Sequence, residues 1–183
     1  MVRGAVPAGF DPTVVSREVL EVLRALPEYR DARCVLTYMP MAGEVDCEAL
    51  LAEAGPFRSF VLPRVAGDEL ELRLYDPALM VGGYRGIREP SESAPAAGPD
   101  DIDLAIIPGV AFDRSLMRLG HGAGYYDRLL SRLHCPVIGL CFNYRLVDAI
   151  PAEPWDRPVD ILITERECIR RRGTDIAQRP AAD

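Results

Sequence analysis

Apolar positions recur at helical spacing near the start of the chain. Val15, Val19, Val22, Leu23 and Leu26 fall on one face, Pro12 suits a first turn, and Pro27 ends the run, which predicts a helix over 12–26. Residues 33–38 and 58–62 read as buried strands, the second ended by Pro63, with a short helix between them from 44–46 to about 54. Residues 69–75 alternate polar and apolar, the period of a half-exposed strand. The stretch 76–100 is rich in proline and glycine and reads as connecting loop. An apolar strand over 103–107 stops at Pro108 and Gly109, and a polar loop then leads to Gly120, Gly122 and Gly124 and into a helix over 124–133. A buried strand over 135–142, a helical turn over 146–150 and a last strand over 159–164 complete the pattern. Strands alternating with helices, several as continuous apolar runs, predict an α/β fold with a mostly parallel sheet covered on both faces.

Composition narrows this little. The 183 residues suit one domain, expected over 12–170 between flexible tails at 1–11 and 171–183. No apolar run reaches the roughly 20 residues of a membrane span, and Met1 to Phe10 lacks the apolar core of a secretory signal, so the expected location is the cytoplasm. The net charge of −7 argues against non-specific nucleic-acid binding while leaving room for a local anion pocket. All 21 basic residues are arginines, so no lysine can contact a phosphate. The five cysteines are scattered without a C-x-x-C pair, as expected of reduced, mostly buried thiols.

The chemistry gathers after the 103–107 strand. Glycines at alternate positions let backbone N–H groups approach a ligand, and the helix start adds partial positive charge, so 118–127 is a candidate phosphate cradle. It is not a P-loop. A tight turn would use the same glycines, but the neighbours favour a ligand. Arg118 brings forked cationic donors, His121 a further donor, and Tyr125 and Tyr126 flat hydrogen-bonding surfaces. Asp127 suits Mg²⁺ or a helix start. Glu44 is either a solvated loop acid or an acceptor for a heterocycle N–H. Asp156 reads locally as a turn residue, and Arg170 to Arg172 as a solvated run. In parallel sheets ligands bind beyond the carboxyl ends of strands, so the Glu44 turn and the glycine loop are expected to face one cleft.

These blocks resemble, in order, those of the 5-formyltetrahydrofolate cyclo-ligase (5,10-methenyltetrahydrofolate synthetase) family. Residues 38–46 are similar to Y-x-P-x-x-G-E-V-D, 61–64 to x-x-P-R, and 86–90 to G-I-x-E-P. Residues 103–113 resemble D-L-I-I-V-P-G-V-A-F-D, and 118–128 resemble R-L-G-x-G-x-G-Y-Y-D-R. The segments 151–156 and 159–165 match the C-terminal block, so the likeness runs from about residue 15 to 167. The resemblance implies a Rossmann-like three-layer sandwich. It also implies a cytoplasmic ligase of one-carbon metabolism that uses ATP and Mg²⁺ to close 5-formyltetrahydrofolate to 5,10-methenyltetrahydrofolate through phosphorylation of the formyl oxygen.

Carried over residue by residue, ATP would be bound by Arg118, Leu119, Gly120, His121, Gly122, Ala123, Gly124, Tyr125 and Tyr126, with Arg118 and Tyr126 catalytic. Met39, Glu44, Gly122 and Tyr126 would bind the substrate, and Asp127 and Asp156 the metal. The implied partner is a reduced folate, with no nucleic acid and no membrane, and the implied state a monomer or weak dimer. The chain departs from the family pattern in places. Met1 to Phe10 carries only Arg3 where members open with a basic helix, and Ala123 stands where many carry lysine. Leu116 replaces a glycine, Trp155 a histidine, and Asn143-Tyr144-Arg145 stands where a glutamine is usual. A second reading, a diverged member that binds nucleotide or a folate-like ligand with weak catalysis, rests on these departures.

Overall fold

A computed structural model describes residues 5–153 and 156–171. Arg3, Trp155 and Arg172 of the sequence reading lie outside the described residues. Asp11 opens α1 (Pro12–Ala25): its Oδ1 accepts from the N–H groups of Thr13 at 2.9 Å and Val14 at 3.3 Å. Leu26 is extended because Pro27 follows, and the chain re-enters a short helix, α2 (Pro27–Asp31). Next come β1 (Cys34–Leu36), α3 (Glu48–Leu51), and the long antiparallel pair β2 (Ser59–Ala66) and β3 (Glu69–Leu74). A hairpin of β4 (Met80–Gly82) and β5 (Arg88–Pro90) precedes β6 (Leu104–Ile107). After it stand the hairpin of β7 (Ala111–Asp113) and β8 (Arg118–Leu119), then α4 (Tyr125–Arg132). The chain ends through β9 (Val137–Leu140), β10 (Leu146–Val147), β11 (Ile161–Ile163) and β12 (Cys168–Arg170).

Seven strands form one sheet in the order β12-β11-β9-β6-β1-β2-β3. The five central strands are parallel, and β3 and β12 close the edges antiparallel. Alternate residues serve two cores. Val35, Phe60, Leu104, Ile106, Ile138 and Ile161 pack with Val19, Leu20 and Leu23 of α1 and Leu50 of α3. Leu36, Val61, Ala105, Ile107, Val137 and Leu162 pack with Leu129, Leu130 and Leu133 on the α4 side. This is the expected α/β, Rossmann-like sandwich. Among the described residues no helix is long and apolar enough to cross a membrane.

Two aspartates set the level at which the strands begin. Asp103, just before β6, accepts from Arg33 N–H at 2.9 Å and Cys34 N–H at 2.8 Å, the first donors of neighbouring β1. Asp160, just before β11, does the same for Val137 N–H of β9 at 2.8 Å. A carboxylate there meets donors that the ladder has not yet paired.

The structure corrects several expectations. Pro63 does not end the second strand, which runs on to Ala66. Its missing N–H points toward β1 beyond that strand's last paired residue, Leu36, so no ladder bond is lost, while the β3 side stays paired. The 76–100 loop contains the β4–β5 hairpin. The turn expected at 146–150 begins as β10, paired in parallel with β7.

The loop after β6 is also structured, as the β7–β8 hairpin, and its turn depends on Asp113. That carboxylate is 2% exposed. Its Oδ1 accepts from Ser115 N–H at 2.9 Å, Ser115 Oγ–H at 2.6 Å and Met117 N–H at 3.0 Å, and its Oδ2 from Ile150 N–H at 2.8 Å. Four donors offset its burial. Within the turn Leu116 adopts φ +70°, a left-handed conformation that a glycine would take freely. Its side chain is 3% exposed in the α4-side core. Burying a leucine gives about 1.5–3 kcal/mol, against about 1–2 kcal/mol of left-handed strain.

Leu116→Gly is therefore expected to lower stability by about 1–3 kcal/mol, because the cavity outweighs the relieved strain. Urea unfolding measures this, and a variant as stable as the parent would mean the strain dominates. Asp113→Asn places an amide NH₂ against backbone donors and is expected to cost about 2–3 kcal/mol in the same titration.

Candidate active site

Chain order gives the site its position. From β1 the chain crosses to β2 on one side, then returns to β6 on the other side of β1. The loops leaving β1 and β6 part at this switch point and open a crevice above the strand ends. One cleft there is lined by Met39, Met41 and Glu44 after β1, and by Pro108 and Gly109 after β6. Arg118, Gly120 to Asp127, and residues of β2 and the β4–β5 hairpin complete its walls. The Glu44 turn and the glycine loop thus face one cleft, as the sequence predicts.

The Glu44 turn holds itself. Glu44 N–H donates to Met41 O at 3.0 Å, Met41 N–H returns to Glu44 Oε2 at 2.9 Å, and Gly43 turns the chain at φ +87°. The carboxylate is 7% exposed, and its other oxygen, Oε1, lies 3.5 Å from His121 Nε2 across the cleft. Arg145 underpins the turn: a Cβ on Gly43 would come within 2.6 Å of its Nη2. Its Nη1 donates to Val110 O at 3.3 Å, its guanidinium lies over Tyr144, and its Nε is buried without a partner.

On the opposite wall Arg118 is folded inward, its side chain 5% exposed. Its Nη2 donates to Asp127 Oδ1 at 2.6 Å and its guanidinium carbon lies 5.4 Å from the centroid of the Tyr126 ring. Its Nε has no partner. Side chains on Gly120 and Gly109 would occupy its space, at 2.7 Å from Nη1 and 3.1 Å from Cγ. Phe112 anchors the hairpin to the sheet by lying where side chains of Gly109 and Gly139 would stand.

Gly124 enters α4 at φ +68°. Arg128 staples this entry: its Nη2 donates to Ala123 O at 3.1 Å and to Asp68 O in the β2–β3 turn. Tyr125 OH reaches Gly67 O at 3.1 Å in the same turn. Burial raises the pKa of the Tyr126 hydroxyl, the Glu44 charge adds to the shift, and Arg118 opposes it, so the group stays a protonated donor.

Of the predicted residues, Met39, Glu44, Arg118, Gly120, His121, Gly122, Ala123, Gly124, Tyr125, Tyr126 and Asp127 line the cleft. Leu119 does not; it pairs with Ala111 in the hairpin. Asp156 also stands outside the lining; its Oδ2 accepts from Glu153 N–H at 2.8 Å. Sequence reasoning missed the wall formed by Tyr84, Ile87, Arg88 and Glu89. The G-I-x-E-P block marked it but carried no chemical signal. Among the described residues the cleft lining contains no cysteine, and burial raises the pKa of Cys34, Cys141 and Cys168, and that of Cys47 to about 12.

A sequence profile of the 5-formyltetrahydrofolate cyclo-ligase family matches residues 9–165. The 5-formyltetrahydrofolate cyclo-ligase of Mycolicibacterium smegmatis is 34% identical over 147 residues, 75% of this chain and 76% of that protein. That of Escherichia coli is 30% identical over 142 residues, 73% and 78% of the two chains. The NMR structure of Aquifex aeolicus 5,10-methenyltetrahydrofolate synthetase superposes with a TM-score of 0.80 at 37% identity, covering 89% of this chain and 84% of that one.

The loop geometry has a separable test. Gly122→Ala meets only left-handed strain, since nothing lies within 4 Å of its Cβ, and is expected to cost about 1 kcal/mol. Gly124→Ala meets the same strain and also displaces Arg128, whose Nη1 would lie 2.6 Å from the new Cβ. Its cost in urea unfolding is expected to exceed that of Gly122→Ala by about 0.5–1.5 kcal/mol. Equal losses would show that the Arg128 staple adds nothing.

Proposed function

We propose that this chain, which belongs to the 5-formyltetrahydrofolate cyclo-ligase family, closes 5-formyltetrahydrofolate to 5,10-methenyltetrahydrofolate with ATP and Mg²⁺. The observation that carries the reading is the meeting of two unlike walls in one cleft: a buried arginine under a glycine loop, and a buried carboxylate whose outer oxygen meets only His121 among the described residues, at 3.5 Å.

The glycine loop and the first N–H groups of α4 receive the phosphates, where the helix start favours negative charge. Arg118 supplies the fixed cation, with its unfilled Nε as a further donor. Glu44 Oε1 accepts an N–H of the pterin ring, and Met39 packs against that ring. The Tyr126 hydroxyl, held protonated, donates to the formyl or phosphate oxygen. The formyl oxygen attacks the γ-phosphorus and ADP leaves. N10 then attacks the formyl carbon, the carbon–oxygen bond breaks, phosphate departs and the N10 proton is released. An amide-like oxygen becomes a leaving group only once it carries phosphate, so the protein's work is alignment and charge neutralisation.

Mg²⁺ suits this donor set. Among the described residues no three acidic, His or Cys side chains form a metal cage, and Mg²⁺ is commonly held by one or two carboxylates plus phosphates. Asp127 would hold it through the oxygen Arg118 leaves free. Asp156 is the second acid the family likeness assigns to it. The ion would neutralise the phosphates. The same reading puts a monomeric or weakly dimeric enzyme in the cytoplasm.

Purified protein mixed with 5-formyltetrahydrofolate and Mg-ATP is expected to gain the near-ultraviolet absorbance of the methenyl product, dependent on both substrates. No gain from folded protein would refute the activity. Asp127→Asn keeps an oxygen for Arg118 but removes the charge, and is expected to lower kcat at least about 100-fold with unchanged circular dichroism. Unchanged turnover would remove Asp127 from the metal site.

A further inference from the structure

A second cavity adjoins the cleft and shares two of its residues, Met39 and Arg88. Its walls are mixed: Leu51 and Ala52 at the end of α3, Pro77 and Met80 are apolar, beside Tyr75 and the charged Glu48 and Arg88. Glu48 stands on the same wall and forms no ion pair with Arg88. Arg88 is exposed on β5, its side chain makes no hydrogen bond or ion pair among the described residues, and it is the basic residue common to both cavities.

We propose that this annex holds the aryl-glutamate tail of the reduced folate, with Arg88 pairing its carboxylates; the inference rests on the folate reading above. A folate is a bicyclic ring joined through an aminobenzoyl ring to glutamate, so a ligand whose pterin meets Glu44 must send an apolar ring and then an anion out of the cleft. The annex offers both chemistries, apolar side chains and the Arg88 cation, and joins the cleft at Met39 and Arg88. A triphosphate needs many donors, and walls of Leu51, Pro77 and Met80 supply none. The charge of an uncommitted Arg88 is free for the tail without breaking any bond in the protein.

The test compares 5-formyltetrahydrofolate with its analogue lacking the glutamate, 5-formyltetrahydropteroate. Arg88→Gln is expected to raise KM for the glutamate-bearing substrate about tenfold, with the KM for Mg-ATP that of the parent. Parent and variant are expected to have the same KM for the analogue, and Arg88→Lys to recover most of the loss. Ala52→Asp, which puts a like charge on the exposed annex wall, is expected to raise KM for the glutamate-bearing substrate only. A rise in KM for Mg-ATP would assign Arg88 to phosphate and overturn the proposal. So would equal losses with both folates, an unchanged KM in Arg88→Gln, or no effect of Ala52→Asp. Turnover of 5-formyltetrahydrofolate by the parent enzyme tests the underlying activity separately.

Discussion

A guanidinium taken out of water must have its charge answered, and the architecture around Arg118 follows from that constraint. The side chain is 5% exposed and its Nε has no protein partner, so it relies on Asp127 and on the face of Tyr126. Room for it exists because Gly109 and Gly120 have no side chains. Its direction is set by the β7–β8 hairpin, and the hairpin's turn closes around the four bonds of Asp113. A cation held with spare donor capacity is poor for stability in isolation. It is well suited to a ligand that brings several negative oxygens.

The parallel core was legible because its strands are short apolar runs punctuated by proline, glycine and aspartate. The site's location was legible too, since the glycine loop and the Glu44 turn each follow a strand end. What escaped reading depended on partners distant in sequence. Pro63 looks like a stop until the β1 ladder is seen to end below it. Residues 146–147 look helical because their strand partner, β7, lies more than thirty residues earlier. Arg88 sits in a Gly- and Pro-rich stretch, and it reaches the cleft on β5, which pairs with β4 and bonds through Glu89 to Val65 of β2. Leu116 was legible as an anomaly of backbone chemistry, but not its answer, which is burial.

An all-arginine chain changes how anions are met. Arginine keeps its charge when buried and offers its donors in a plane, so it can lie under a loop, against a ring, and still bind. Arg118 and Arg145 both do this, each beneath one wall of the cleft and each with a buried Nε unfilled. A lysine at Ala123 would instead project a flexible charge from the loop itself. Here the positive charge of Arg118 lies beneath the loop and not on its surface.

Each wall has its own supports, and Arg145 beneath the Glu44 turn also reaches Val110 O on the opposite side. Glu44 is held by Met41, Gly124's entry into α4 by Arg128, and Arg118 by Asp127. The contact between Glu44 and His121 across the cleft is 3.5 Å, at the limit of a hydrogen bond. Little direct bonding between Glu44 and the glycine loop must therefore be broken for a ligand to enter. A ligand that spans the cleft replaces the weakest contact in the site with its own bonds to both walls, so its binding energy goes into drawing phosphate and pterin together.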